Sequence, residues 1–171
     1  MLSGLNTLLR KRYFKLGVEI LVFLAIYFSI KSFMQRNLVD GSVPSLEGML
    51  LGGQSFNIRS YQSKPLLIHF WATWCPICKM EENSIASISK DYKVITVAMN
   101  SGTDKKVSAF LKQQGLTFPV VNDENGAIAE RFGVRVVPTS FIIDSNGIIK
   151  FTEVGFTTEL GLRARLWLAG W

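Results

Sequence analysis

Trp71-Ala72-Thr73-Trp74-Cys75-Pro76-Ile77-Cys78-Lys79-Met80-Glu81 contains the only two cysteines of a 171-residue chain. The apolar run Leu66-Leu67-Ile68-His69-Phe70 precedes it, and a segment with helical spacing of Met80, Ile85 and Ile88 follows. A strand therefore delivers a Cys-x-x-Cys to a helix N-terminus. Unpaired backbone N–H groups and the positive end of the helix dipole favour a thiolate there, so Cys75 ionises more readily than a free cysteine. Pro76 suits the first helical turn, where proline forfeits no hydrogen bond. Cys78 is close enough to attack a mixed disulfide formed at Cys75.

Other uses of two cysteines fit less well. Structural zinc asks for four ligands, and the chain offers two cysteines and one histidine. A purely structural disulfide between near neighbours closes a tiny loop and adds little stability. The strand-to-helix context instead marks a redox dithiol, which needs no metal and no cofactor because the sulfurs carry the electrons.

The net charge of +6 is unevenly placed. Residues 1–36 hold six basic side chains against Glu19 alone, +5 of the total, so residues 37–171 are left with +1. No basic face remains to argue for a nucleic-acid partner. From Leu16 to Phe33 the chain is almost wholly apolar, about 27 Å of helix at ~1.5 Å per residue, close to the hydrocarbon thickness of a bilayer. Glu19 and Lys31 lie within a turn of its ends, and Tyr13, Tyr27 and Phe33 supply aromatic anchors. Arg10, Lys11, Arg12 and Lys15 precede the span, which predicts a cytoplasmic N-terminus and an external domain.

Two alternatives compete with an anchor. A cleaved secretory signal wants small residues after the apolar run, and Ser29-Ile30-Lys31-Ser32-Phe33 is a poor cleavage site. A buried core helix leaves the basic cluster without a purpose. The expected organisation is a basic N-terminal stretch over 1–15, a transmembrane anchor over 16–34, a linker over 35–45 and a domain over 46–171. The dithiol then faces an oxidising compartment.

Within the domain, Met49 to Ile58 reads as a hairpin around Gly52-Gly53, followed by strand 66–71 and the dithiol helix. Strand 94–98, a helix with Val107, Phe110 and Leu111 on its buried face, and strand 118–121 come next. A short helix over 128–132, strand 140–143, a turn at Asn146-Gly147, strand 148–154 and a helix over 160–168 complete the chain. The order β-α-β-α-β-α-β-β-α predicts a mixed sheet with helices on both faces, because strand–helix–strand crossovers give parallel neighbours and the closing hairpin adds an antiparallel edge.

With these residues in place, the chain resembles the thioredoxin superfamily over about residues 44–170. It is most similar to the membrane-tethered extracytoplasmic branch of TlpA and the cytochrome c maturation thioredoxins. The likeness rests on Phe70-Trp71-Ala72-Thr73-Trp74-Cys75-x-x-Cys78, on Val137-Pro138-Thr139 ahead of a strand, on Asp144-x-x-Gly147, and on an inserted strand and helix before that proline. The branch assignment adds the anchor and Glu81.

The resemblance implies a cis Pro138 packed beside Cys75, with the backbone of Val137 pairing with an extended substrate segment. It implies that Trp74 covers the dithiol and that Pro76 and Ile77 contribute to the substrate surface, whereas Trp71 can be core alone. His69, six residues before Cys75, stands where cytoplasmic thioredoxins commonly carry a buried aspartate that moves protons. A neutral imidazole can do that work, and it can equally be a hydrogen-bonded core residue. Glu81, three residues beyond Cys78 on the same helix face, stands where the branch often has a glutamate that handles a cysteine proton. Its alternative is a solvated helix residue.

The expected activity is thiol–disulfide exchange by a protein more reductant than oxidant, since Pro76-Ile77 places no positive charge between the cysteines. Its partners are protein thiols and disulfides, with cytochrome c apoprotein or misoxidised proteins as substrates, and a transmembrane electron donor in the bacterial cytoplasmic membrane. The rival from another class is a non-enzymatic module that binds a partner or copper(I) through the two thiolates. A peroxidase-like thiol enzyme is a third reading, for which a resolving cysteine two residues away is unnecessary.

Overall fold

The structure, a computed structural model, describes residues 2–61 and 64–171. The side chains of Arg10, Lys11 and Tyr13, assigned above to the basic flank and the aromatic belt, lie outside the described ones. The chain forms two compact units, residues 1–36 and 37–171.

The first unit is a single helix, α1 (Leu2–Gln35). Its stretch Phe14–Gln35 is 22 residues long, apolar enough to cross a bilayer, and buried nowhere against protein. At ~1.5 Å per residue this is about 33 Å, which matches a hydrocarbon core. A soluble helix turns one stripe inward and leaves the rest polar. Here the apolar residues are spread around the helix and not gathered on one stripe, which makes the segment a candidate membrane span.

The second unit begins with a small hairpin, β1 (Glu47–Met49) and β2 (Ser55–Asn57), paired antiparallel as the Gly52-Gly53 signal predicts. The main sheet has five strands: β3 (Leu66–Trp71), β4 (Lys93–Met99), β5 (Val120–Asp123), β6 (Thr139–Ile143) and β7 (Ile149–Val154), in the order β5-β4-β3-β6-β7. β3 is parallel to β4, and β4 to β5; β6 runs antiparallel to both β3 and β7. The helices are α2 (Pro76–Asp91), α3 (Asp104–Gln114), α4 (Ala127–Arg131) and α5 (Glu159–Ala169).

Topology assigns the helices to faces. The crossovers β3-α2-β4 and β4-α3-β5 step the same way along the sheet, so right-handedness puts both helices on one face. The β5-α4-β6 crossover steps back past β3, and α4 takes the other face. Two core clusters record this division. Leu67, Cys78, Ile85, Val107, Phe118 and Leu162 pack on the α2 side, while Ile68, Phe70, Val97, Phe132 and Phe141 pack on the α4 side. β3 is buried at all six positions, as a central strand covered on both faces must be. Phe70, Phe132 and Phe141 meet tilted or edge-on with ring centroids 5.3 to 5.8 Å apart, and Trp71 meets Phe110 and Phe118 on the α2 side.

Two sequence expectations shift. The stretch expected as a linker over 35–45 is bonded to the domain from Val39 onward. Val39 N–H donates to Phe132 O at 3.2 Å, Ile149 N–H donates to Gly41 O at 2.8 Å, and Ser42 bridges Ile148. Leu38, Val39 and Val43 pack against the α4-side cluster, an apolar contribution that the polar residues around them obscure. Gly133 records the same docking, because at φ +70° any Cβ there would collide with the carbonyl of Asn37. The strand expected over 118–121 is displaced to Val120–Asp123, since Pro119 has no N–H to give a ladder. The buried Asp123 carboxylate then caps α4 through the N–H groups of Ile128 and Ala129.

Candidate active site

β3 ends at Trp71, and four residues later the chain enters α2 with Cys75 as the N-cap and Pro76 in the first turn. The Cys75 sulfur accepts the N–H of Cys78 at 3.1 Å, the bond that would be strengthened by a negative charge on sulfur. Cys75 and Cys78 are joined as a disulfide with Cα atoms 5.3 Å apart, and each is 4% exposed. The Val137–Pro138 peptide bond is cis, and the carbonyl oxygen of Val137 lies 3.6 Å from Cys75 Sγ. A bonded sulfur has no proton to donate, so in this oxidised form the approach is a contact. The two motifs separated by about sixty residues in sequence therefore meet in space.

The loop that presents Cys75 is held from the β4–α3 connection. Ser101 Oγ accepts the N–H of Thr73 at 3.0 Å, and Trp74 Nε1–H donates to the carbonyl of Asn100 at 3.0 Å. Asn100 is the one non-glycine described with positive φ, and Asn-Ser-Gly after an apolar strand was the available signal. Trp74 is thereby fixed in orientation while 61% exposed, and Pro76 and Ile77 are exposed beside it. Trp71 is buried core, its Nε1 without a hydrogen-bond partner among the described residues.

The two titratable candidates are both buried, and burial moves them in opposite directions. Glu81 lies on the buried stripe of α2 with Cys78, Ile85 and Ile88, and is 1% exposed. One carboxylate oxygen accepts the N–H of Thr157, just ahead of α5, and the other has no partner among the described residues. Desolvation raises its pKa from 4.5 to about 7, with the Thr157 bond opposing. The solvated alternative for Glu81 does not hold. His69 occupies the α2-side face of β3 between Leu67 and Trp71, and its Nδ1 is 2.9 Å from Ser140 Oγ on β6. Burial lowers its pKa to about 3. Burial thus favours the neutral ring, hydrogen-bonded to Ser140.

A redox dithiol at a helix N-cap thus faces a cis proline on a mixed five-stranded sheet. The Redoxin family model matches residues 38–164, which is most of the chain. The chain belongs to the Redoxin family. Among curated proteins, a thioredoxin-like protein of Haemophilus influenzae is 33% identical over 161 residues, 93% of this chain and 96% of the relative. The thiol-disulfide oxidoreductase ResA of Geobacillus thermodenitrificans is 33% identical over 132 residues, 75% of this chain and 76% of the relative. Among solved structures, StoA from Bacillus subtilis superposes with a TM-score of 0.64 at 30% identity, covering 72% of this chain and 98% of that one.

This Redoxin domain is thus a thioredoxin-like thiol–disulfide oxidoreductase built on Cys75 and Cys78. α1 is its candidate membrane anchor.

Proposed function

We infer that the protein is held outside a bacterial cytoplasmic membrane by α1, with its N-terminus inside, and that it reduces protein disulfides there. Residues 1–15 form the internal flank and 16–34 the anchor, and an electron donor embedded in the same membrane restores the dithiol. The observation that carries the direction is the environment of Cys78. A buried carboxyl one helical turn away, half of it unpaired, disfavours a second negative charge. No cation lies between the cysteines to offset it. Strong oxidants owe their potential to an unusually stabilised thiolate, so this site belongs on the reducing side.

The steps follow from the geometry. Cys75 thiolate, stabilised by the Cys78 N–H, attacks one sulfur of the partner disulfide and expels the other as a thiolate. Cys78 S–H passes its proton to the Glu81 carboxylate, which near pH 7 is present in both forms. The Cys78 thiolate attacks Cys75 Sγ, forming the Cys75–Cys78 bond and breaking the mixed disulfide, so the partner sulfur that was bonded to Cys75 leaves as a thiolate. Two electrons have moved from the dithiol to the partner. Trp74, Pro76, Ile77, Val137 and Pro138 provide the surface on which the partner rests, and His69 supports the site as a neutral hydrogen-bonding group.

The test is the midpoint potential of the Cys75/Cys78 couple, measured by equilibration with thiol–disulfide buffers at pH 7. The expected value is more negative than about −180 mV, on the thioredoxin side of protein disulfide isomerase. A value near −120 mV, in the range of a strong oxidant, overturns the proposed direction.

A further inference from the structure

Ala72 to Cys75 lies between β3 and α2 and belongs to neither ladder nor helix. Cys75 N–H donates to Ala72 O at 3.1 Å, which closes a turn with Thr73 and Trp74 as its two central residues. Both are bonded to the same neighbouring connection. Thr73 N–H donates to Ser101 Oγ at 3.0 Å, and Trp74 Nε1–H donates to Asn100 O at 3.0 Å. The last residue of the turn is the nucleophile itself, whose sulfur accepts Cys78 N–H at 3.1 Å and lies 3.6 Å from the Val137 carbonyl oxygen. A displacement of the turn is therefore a displacement of that sulfur.

The two holds differ in kind. The Trp74 side chain stands largely in water, which can take over its bond, whereas Ser101 is buried and its hydroxyl is used twice. It accepts from Thr73 and donates to Met99 O at 3.1 Å, so one oxygen links the turn to the end of β4. The connection that carries this hydroxyl is itself fixed. Asn100 N–H donates to Asp123 O at 2.9 Å, and Asn122 Nδ2–H donates to Gly102 O at 2.9 Å and to Asp104 Oδ1 at 2.8 Å. Residues 99–102 contain no ionisable side chain, so what they do to Cys75 is geometric. The ionisable groups on the elements around the dithiol are Cys78, Lys79, Glu81 and Glu82 on α2, His69 on β3 and Arg135 ahead of the proline, and exchanging Ser101 alters none of them.

We propose that Ser101 is a positioning residue for the exchange reaction, its hydroxyl holding the Ala72–Cys75 turn so that Cys75 Sγ stays aligned on the Cys78 N–H once the disulfide is open. This rests on the exchange reading above and adds a residue to it. In the oxidised protein the covalent bond to Cys78 holds the Cys75 sulfur in place whatever the turn does. In the reduced protein that bond is gone, and the bonds to the turn take over the task. A sulfur that drifts from the helix N-terminus loses part of the N–H bond and of the dipole that favour its thiolate.

The experiment uses the reduced full-length chain in lipid nanodiscs. Cys75 is alkylated with iodoacetamide, the thiolate sulfur displacing iodide, and the rate is followed against pH by mass spectrometry. Hydrogen exchange of the Thr73 amide is measured on the same samples. In Ser101→Ala the alkylation midpoint rises by about half a pH unit, which makes the reaction about threefold slower below the midpoint, a fraction of what complete loss of a hydrogen bond to charged sulfur would cost. The Thr73 amide, protected in the native chain, exchanges about tenfold faster in that variant. Ser101→Thr keeps the hydroxyl and returns both readings toward native.

An unmoved midpoint in Ser101→Ala, whatever its stability, overturns the proposal and leaves the hydroxyl a structural bond. So does a midpoint that moves equally in the Ala and Thr variants, or a Thr73 amide that exchanges as fast in the native chain as in Ser101→Ala. Failure of Ser101→Ala to fold assigns the hydroxyl to folding and overturns it too. Failure of the native chain to reduce a small symmetric disulfide, with its alkylation midpoint intact, would instead defeat the exchange reading, and this inference with it.

Discussion

Replacing Glu81 by glutamine keeps the shape of the side chain and removes its proton chemistry, so it separates burial from ionisation. The carboxyl is 1% exposed and its pKa is raised from 4.5 to about 7. At ~1.36 kcal/mol per pKa unit, ionising it in the folded oxidised protein costs about 3 kcal/mol. Between these two values the folded state binds more protons than the unfolded chain, so stability falls as pH rises. The contribution is fully present below about pH 4.5 and lost above about pH 7.

His69 contributes with the opposite sign. Its pKa is lowered from 6.5 to about 3, so its share of stability is present above 6.5 and disappears as pH falls toward 3. Over pH 4.5 to 6.5 the two slopes partly cancel, and the raw pH profile of the native protein is flat enough to mislead. The informative quantity is the difference between native protein and Glu81→Gln, in which His69 drops out. Urea denaturation of the oxidised domain, followed by tryptophan fluorescence, should show the stability of the variant relative to native improving by about 3 kcal/mol from pH 4.5 to pH 8. In the same variant, release of a trapped Cys75–peptide disulfide should slow by about a hundredfold and lose its inflection near pH 7. A native-minus-variant difference that does not change with pH refutes the ionisation argument. An unchanged release rate refutes the proton transfer.

Two further outcomes follow. Cys75→Ser abolishes exchange whereas Cys78→Ser accumulates mixed disulfides with partner proteins, read on non-reducing gels; equal behaviour of the two variants ends the two-cysteine mechanism. Protease added outside spheroplasts digests the domain and spares only a fragment the size of α1, and protection of the domain contradicts the proposed orientation.

The site was legible where local chemistry wrote it. Cys75-Pro76-Ile77-Cys78 between an apolar strand and a helical period specifies a capped helix by itself, and the structure has the cap, the proline and the bond from Cys78 N–H where that logic puts them. The order of strands was legible only as far as handedness constrains crossovers. What stayed hidden depends on residues far apart in sequence. The polar look of residues 35–45 hid the docking of Leu38, Val39 and Val43, because three apolar residues without a period carry no signal until a partner surface exists. Asn100 and Ser101 read as loop residues, and only the return of β4 beside β3 turns them into clamps for Thr73 and Trp74. For Glu81 and His69 the spacing placed the side chains, while burial, which decides their charge, came from α5 and β6.

That burial gives the two groups separate work. Both are uncharged through much of the range in which the oxidised site waits, Glu81 because its proton is retained and His69 because its proton is refused. A site without stored charge can accept a thiolate only where the fold has prepared for one, and that place is the N-cap of α2, where the Cys78 N–H already meets the Cys75 sulfur. In the proposed mechanism Glu81 takes up the Cys78 proton near neutral pH, a task for which the His69 pKa is lowered too far. Moving the carboxylate to position 69, by His69→Asp, would put a charged group on the sheet side of the same cluster. Burial would then raise that group's pKa as it does for Glu81, and the pH dependence of Cys78 would be shared between two acids instead of resting on one.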